Sequence, residues 1–257
     1  MHSRVLTTKL HPPAKAPDWV ARPRLLDVLD AGAHKPLTLV SAPAGYGKSV
    51  LVAQWAALHS DRVAWIALDE RDSDLEAFTA YLVAAVRTVA PNALTSTEGL
   101  LGGRHAAPVE DLVPSLANDL DALEAPLAIV LEDYHLVRSA EVDELLAALL
   151  LHAPADVTFV IVTRHDPALP LALLRGHGHV NEIREAGLRF EASEASELLE
   201  RVLAAPVSDT TAASFVHATE GWAAGLRLTA LARRDAPEAI HEVPAAGPMD
   251  AQAALDY

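Results

Sequence analysis

LTLVSAPAGYGKSVLVAQW, Leu37 to Trp55, decides the fold. A β-branched apolar run leads into a glycine-bearing turn that closes on Gly47-Lys48-Ser49, and an apolar-faced helix leads out. That is the setting required by the phosphate-binding pattern G-x-x-x-x-G-K-[ST], with Ala42 in place of its first glycine. Such a loop works because consecutive backbone N–H groups converge at a helix N-terminus, where the aligned peptide dipoles already favour an anion. Gly45 and Gly47 stand where the backbone must take positive φ or come close to phosphate. Lys48 can reach the β- and γ-phosphates and the Ser49 hydroxyl can ligate Mg²⁺, while Ala44, Tyr46 and Val50 complete the nucleotide-binding set. Ala42 lies at the strand end of the loop, where one methyl is a small intrusion, so nucleotide binding is expected to survive it.

Outward from the loop, apolar β-branched runs alternate with helix-period segments, the pattern of a parallel sheet covered on both faces. Strands are expected at Leu37 to Ser41, Val63 to Leu68, Leu127 to Leu131, Val157 to Val162 and Val180 to Arg184. Helices are expected at Lys48 to His59, from a cap at Ser73 with Glu76 as its capping-box partner through Val86, after Asp111 up to about Leu123, and at Glu141 to Leu151. Pro91 to Asp111 reads as a long loop from its Gly, Pro, Thr and Ser content. Beyond Glu191 the strand signal ends, and Ser193 to Leu203, Ser208 to Ala218 and Trp222 to Arg233 read as three short helices. The expected fold is therefore α/β: a P-loop NTPase with a parallel five-stranded sheet flanked by helices, followed by a small all-α lid. The divisions are a lead-in at 1–34, the core at 35–190, the helical lid at 191–234 and a loosely held tail at 235–257.

Composition narrows the function. In 257 residues, 20 Lys and Arg face 35 Asp and Glu, a formal charge of −15, which argues against a nucleic-acid surface on this chain. With no cysteine there are no disulfides, thiolate metal sites or Cys nucleophile, which fits a cytoplasmic location. The N-terminus lacks a signal-peptide core, and no apolar run approaches the roughly 20 residues of a membrane helix.

A Mg·nucleotide site also needs a carboxylate at the end of a neighbouring strand. LAIVLEDYH supplies two: by position Glu132 is the metal-side acid and Asp133 the one that activates water. VIVTRHD ends another strand at Arg164, on the carboxyl edge where open α/β sheets bind ligands, placing it to sense a γ-phosphate. Each of the three also has a plain reading, as an acidic turn or a solvent-facing arginine. No N-K-x-D motif reads guanine, no LSGGQ-like signature marks a transporter ATPase, and the twelve histidines include no H-E-x-x-H. No G-x-S-x-G elbow is present.

With these residues in hand, the chain resembles the N-terminal ATPase module of large ATP-binding LuxR-type regulators, the MalT-like branch of the STAND class of signal-transduction ATPases. The resemblance rests on TKLHPP at Thr8 to Pro13, RPRLLDVL at Arg22 to Leu29, SAPAGYGKS at Ser41 to Ser49, LEDYH at Leu131 to His135, TRHDPALPLALLRGHG at Thr163 to Gly178 and TEGWAAGLRL at Thr219 to Leu228. It implies a switch that closes around ADP at rest and opens with inducer and ATP toward self-association, with slow hydrolysis as the reset. It implies that Lys48 and Ser49 bind phosphate and Mg²⁺, Glu132 and Asp133 form the acidic pair, Arg164 is the sensor, Arg22 and Arg24 contact base or ribose, and Gly221 to Leu226, with Gly221 and Trp222 at the nucleotide, form the lid motif. Glu132 stands where the family more often has Asp, and Ala223 where many relatives have a nucleotide-packing proline, so binding is expected to be better kept than fast hydrolysis. Relatives continue into a winged helix, a helical-repeat sensor and a DNA-binding helix-turn-helix. This chain ends at Tyr257 within an apparent helix start and reads as a fragment, with DNA contacted only through a missing C-terminal part. The alternatives are a stand-alone P-loop ATPase or small-molecule kinase, for which Arg175, Arg184 and Arg189 would have to form a basic lid, and a non-catalytic interaction partner.

Overall fold

The computed structural model describes residues 5–103 and 106–235. Five parallel strands, β1 (Leu37–Ser41), β2 (Val63–Ala67), β3 (Leu127–Glu132), β4 (Val157–Thr163) and β5 (Val180–Arg184), form one sheet in the order β2-β3-β4-β1-β5. The expected strands are all present, with ends moved by one residue in β2, β3 and β4. Strands β1 to β4, of which β2 lies at an edge, are buried almost throughout, as their unbroken apolar runs require. β5 is half-buried, which fits its place at the edge.

Alternation along each strand splits the core into two layers. Leu127, Ile129 and Leu131 of β3 join Leu39, Ile66 and Phe159 on one face, under α3 (Leu75–Val89), α5 (Val109–Asp121) and α6 (Ala140–Leu151). Ala128 and Val130 join Val40, Trp65 and Val162 on the other, under α1 (Pro23–Ala31) and α2 (Lys48–Leu58). The chain then passes through α7 (Leu171–Gly176) and α8 (Glu185–Leu188) to three helices, α9 (Ala192–Leu203), α10 (Asp209–Thr219) and α11 (Ala223–Asp235). These pack around their own apolar cluster, including Leu198, Leu199, Phe215 and Leu226, to which Val20 of the lead-in and Phe190 also belong. Among the described residues no helix is long and apolar enough to cross a membrane.

Two expectations are corrected. The helix after β2 is capped by Asp74, whose side chain accepts from Ala77 N at 2.8 Å, and not by Ser73. The Ser73 hydroxyl accepts instead from Arg138 N at 2.9 Å, while Asp69 and Asp72 close a capping box around a 3-10 turn at Glu70–Ser73. The stretch from Pro91 is not all loop, since Thr95–Leu100 forms a further helix, α4. Asp119 of α5 accepts from both Thr97 N and Thr97 Oγ1 at 2.9 Å, so a tertiary carboxylate supplies the order that local composition lacks. From residue 236 the expected tail lies outside the described residues.

Candidate functional site

The loop between β1 and α2 takes the form its glycines allow. Gly45 and Gly47 adopt φ of +79° and +77°, and α2 starts at Lys48. Ala42 is not among the positive-φ residues, so its methyl costs no backbone strain, and it is buried in the core layer beneath α2. Among the described residues nothing accepts a hydrogen bond from the backbone N–H of Ala44, Gly45, Tyr46 or Gly47. The first N–H groups of α2 lack intrahelical partners as any helix start does, and the first backbone bond into the helix runs from Leu51 N to Gly47 O. A run of unspent donors at a helix N-terminus is a site for an oxyanion.

Lys48 is 7% exposed, and its ammonium donates to Pro43 O at 2.8 Å. Burial pulls its pKa down to about 8, against an upward pull from Asp133, with Arg164 adding to the fall. Glu132 closes β3 and is also buried; burial raises its pKa, Asp133 adds to the rise, and the Ser49 hydroxyl and Trp65 indole beside it oppose. Asp133 follows in the left-handed region at φ 55°, with its carboxylate about half-exposed. β4 lies between β3 and β1, so Arg164, directly after it, comes within electrostatic reach of both Lys48 and His135. The structure thus gathers Lys48, Ser49, Glu132, Asp133 and Arg164 at one edge of the sheet. Among the described residues no group of three or more His, Asp or Glu could hold a metal by itself. A cation here would therefore share Ser49 and Glu132 with a ligand's own oxygens.

His135 and His165 join this edge without having been singled out. The His135 side chain is 9% exposed, its Nδ1 lies 3.9 Å from an Asp133 oxygen, and its ring meets that of His165 edge-on at 6.1 Å. The signal for both was present in LEDYH and TRHD, which were read only for their acids and arginine.

On the other side of the loop is a cavity of about 350 Å³, within the roughly 300–1,000 Å³ of ordinary ligand pockets. Trp19, Val20 and Arg22 line it from the lead-in, Gly45, Gly47 and Val50 from the loop and α2, and Phe190, Leu198 and Ala223 from the helical unit. Arg22 is 3% exposed; one terminal nitrogen donates to Glu194 at 3.0 Å and to Arg189 O at 2.8 Å, and the guanidinium lies over the Phe190 ring. Its Nε and other terminal nitrogen are buried without a partner. Burial lowers its pKa, with Glu194 opposing. Arg24 lies outside the lining and holds the same Glu194 at 2.9 Å, together with the carbonyls of Gly187 and Arg189.

Gly221, at φ 72°, turns the chain against Phe190 so that the start of α11 rests on the loop. The Trp222 indole donates to Ala44 O at 3.0 Å, Ala224 N donates to Gly45 O at 2.9 Å, and Trp222 is 2% exposed. A Cβ on Gly45 would lie 2.6 Å from Trp222 Nε1, whereas one on Gly47 would meet only Ala223 Cβ at 4.0 Å. Both substitutions to alanine carry the left-handed strain of roughly 1–3 kcal/mol. Gly45→Ala is expected to lower the urea midpoint further than Gly47→Ala, because it also displaces Trp222; equal losses would mean that the indole contact contributes nothing.

Residues 22–162 match the family model of the AAA ATPase domain. The chain is 34% identical over 230 residues to the HTH-type transcriptional regulator MalT of Yersinia pestis (strain Pestoides F), covering 90% of this chain and 25% of that protein. It is 32% identical over 254 residues to the protein of the same name in Klebsiella pneumoniae (strain 342), covering 98% and 28%. The chain therefore spans about a quarter of the length of the curated relatives it matches. Among solved structures it superposes on a signal transduction ATPase with numerous domains and a tetratricopeptide repeat sensor from Pyrococcus horikoshii, with TM-score 0.55, 16% identity and coverage of 84% and 30%. It also superposes on the Thermotoga maritima RuvB Holliday junction branch migration motor, with TM-score 0.51, 14% identity and coverage of 89% and 67%. At such identities these two likenesses carry the fold alone. By the family match the chain belongs to the AAA ATPase domain family, and among its relatives are MalT-type transcriptional regulators.

Proposed function

We propose that the chain is the nucleotide-binding switch module of a MalT-like, LuxR-type transcriptional activator, holding ATP or ADP with Mg²⁺ and hydrolysing ATP slowly at most. The observation that carries this reading is the run of unspent N–H donors from Ala44 to Gly47, with Lys48 and the Glu132-Asp133 pair beside it. The β-phosphate side of the ligand is assigned to those amides and to Lys48, and Mg²⁺ to Ser49 and Glu132. The ion, when bound, neutralises phosphate charge. The base and ribose are assigned to the apolar cavity beneath Phe190, where Arg22 still has donors to give. Arg24 acts on that cavity through the Glu194 carboxylate and the Arg189 carbonyl that it shares with Arg22. Asp133 orients water and Arg164 senses the terminal phosphate. Gly221 and Trp222 set the lid against the loop, and self-association belongs to the full-length protein. At −15 the chain offers DNA no complementary charge, so DNA contact is assigned to other parts of such a protein.

A small-molecule kinase gains no support from the arginines. Arg175 and Arg184 are both paired with Asp166 and Glu182, and Arg189 with Glu185 and Glu220.

Equilibrium dialysis of labelled ADP and ATP with Mg²⁺ tests the proposal, and an absence of saturable binding sinks it. The pH dependence has a defined sign. Lys48 has a pKa of about 8 without ligand, and a bound phosphate raises it. Above pH 8, binding must therefore take up a proton, and Kd is expected to rise by up to about tenfold per pH unit while staying flat from this group below 8.

A further inference from the structure

We propose that Trp65 is a positioning residue for the metal-side carboxylate, its indole N–H donating to one Glu132 oxygen so that the other stays turned toward the ion; this rests on the nucleotide-binding reading above. Trp65 is 1% exposed, and its Nε1 is buried with no acceptor at hydrogen-bonding length and angle. An indole N–H left unspent in a core is costly, and phenylalanine would serve packing alone without that cost. The orphaned donor points to an acceptor whose final position is set only when the site is loaded.

The sheet register brings the two side chains together. β2 and β3 run parallel, with Trp65 across from Val130 and Ala67 across from Glu132. Residues two apart along a strand share a face, so Trp65 and Glu132 are diagonal neighbours on the face covered by α2, where Trp65, Val130 and Leu51 pack in one core layer. Ala67, directly opposite Glu132, ends in a methyl and donates nothing, which leaves the indole as the donor that β2 offers. The Ser49 hydroxyl of α2 and the Trp65 indole both lie close enough to Glu132 to favour its charged form against burial. A carboxylate has about four acceptor positions, so Ser49 and a cation together leave room for the indole. Glutamate also has one more rotatable bond than aspartate, and a buried Glu132 needs a second fixed donor to decide which oxygen meets the ion. The outer partners of a ligating carboxylate commonly change metal affinity by roughly 10–100-fold when removed.

The test is equilibrium dialysis of labelled ADP with the full chain, in EDTA and across a Mg²⁺ series. Trp65→Phe, which keeps an aromatic ring and loses the N–H, is expected to raise the Mg²⁺ concentration that gives half of the metal-dependent gain in affinity by about tenfold or more, while changing metal-free ADP binding by less than about twofold. Trp65→Phe added to Glu132→Gln should cost no further Mg²⁺ affinity, because the indole acts through the carboxylate. In the unsubstituted protein the Trp65 indole ¹H–¹⁵N resonance should move when Mg²⁺ is added to the ADP complex, and it should stand at a different position in Glu132→Gln. Equal losses with and without metal, an unchanged Mg²⁺ requirement, losses from the two substitutions that simply add, or an indole resonance indifferent to both Mg²⁺ and Glu132→Gln would overturn the proposal. Metal-free ADP binding by the unsubstituted chain separates this failure from failure of the nucleotide-binding reading, and the indole resonance decides the matter if the phenylalanine variant does not fold.

Discussion

Lys48→Ala is expected to reduce ADP and ATP affinity by about 100-fold or more while leaving the fold intact. A charge-assisted hydrogen bond contributes roughly 1.5–3 kcal/mol net, and each 1.4 kcal/mol is a factor of ten, so an ammonium serving two phosphates accounts for that loss. The fold should tolerate the change because Lys48 is the first residue of α2, where alanine is a strong helix former, and its ammonium donates to the carbonyl of Pro43, a backbone group of the loop itself. Equilibrium dialysis beside a urea titration separates the two effects. Unchanged affinity in a folded variant would remove the loop from the binding site.

Glu194→Ala is expected to be the most damaging single change to stability, by about 3–5 kcal/mol, because it leaves a buried guanidinium without its counter-charge. Glu194 accepts from Arg22 at 3.0 Å, from Arg24 at 2.9 and 3.1 Å, and from Glu191 N at 3.1 Å, and both Arg22 and Glu194 are nearly fully buried. A single side chain thereby ties the end of the lead-in and the first turn of α1 to the start of α9. Burial raises the Glu194 pKa, but the hydrogen bonds from Arg24 and Arg22 outweigh it and the net shift is downward. A carboxyl lowered in the folded state stabilises fully above its unfolded value and loses that contribution as pH falls through the folded value. The joint should therefore hold at neutral pH and weaken in acid below about pH 4. A urea midpoint for Glu194→Ala within error of the unsubstituted chain, or an acid transition unaltered by the substitution, would contradict this account.

The sheet was legible because its strands are unbroken apolar β-branched runs, and Gly45, Gly47, Lys48 and Ser49 carry the loop in four letters. Helix α4 was not legible, since Thr95 to Glu98 follows a left-handed Leu94 and depends on Asp119, 22 residues away. The Ser73 cap was misplaced by one residue because Ser73 and Asp74 are equally good caps, and only Arg138, 65 residues on, decides between them. The same limit hid the role of Arg22, whose carboxylate partner lies 172 residues along the chain. His135 was missed for a different reason: its buried, unpaired Nδ1 becomes informative only once its surroundings are known.

A peptide unit is a rigid plate, with its N–H on one edge and its C=O on the other. The Ala44 carbonyl shares a plate with the Gly45 N–H, and the Gly45 carbonyl shares one with the Tyr46 N–H. Trp222 and Ala224 hold the carbonyl edges of these two plates, while the opposite edges are unspent. An anion seated on the N–H edges and the lid on the carbonyl edges therefore do not compete for atoms; they grip the same two plates from opposite sides. Rotating either plate would break both grips together, so under the proposed switch reading the loop and α11 are coupled through the stiffness of two amide bonds.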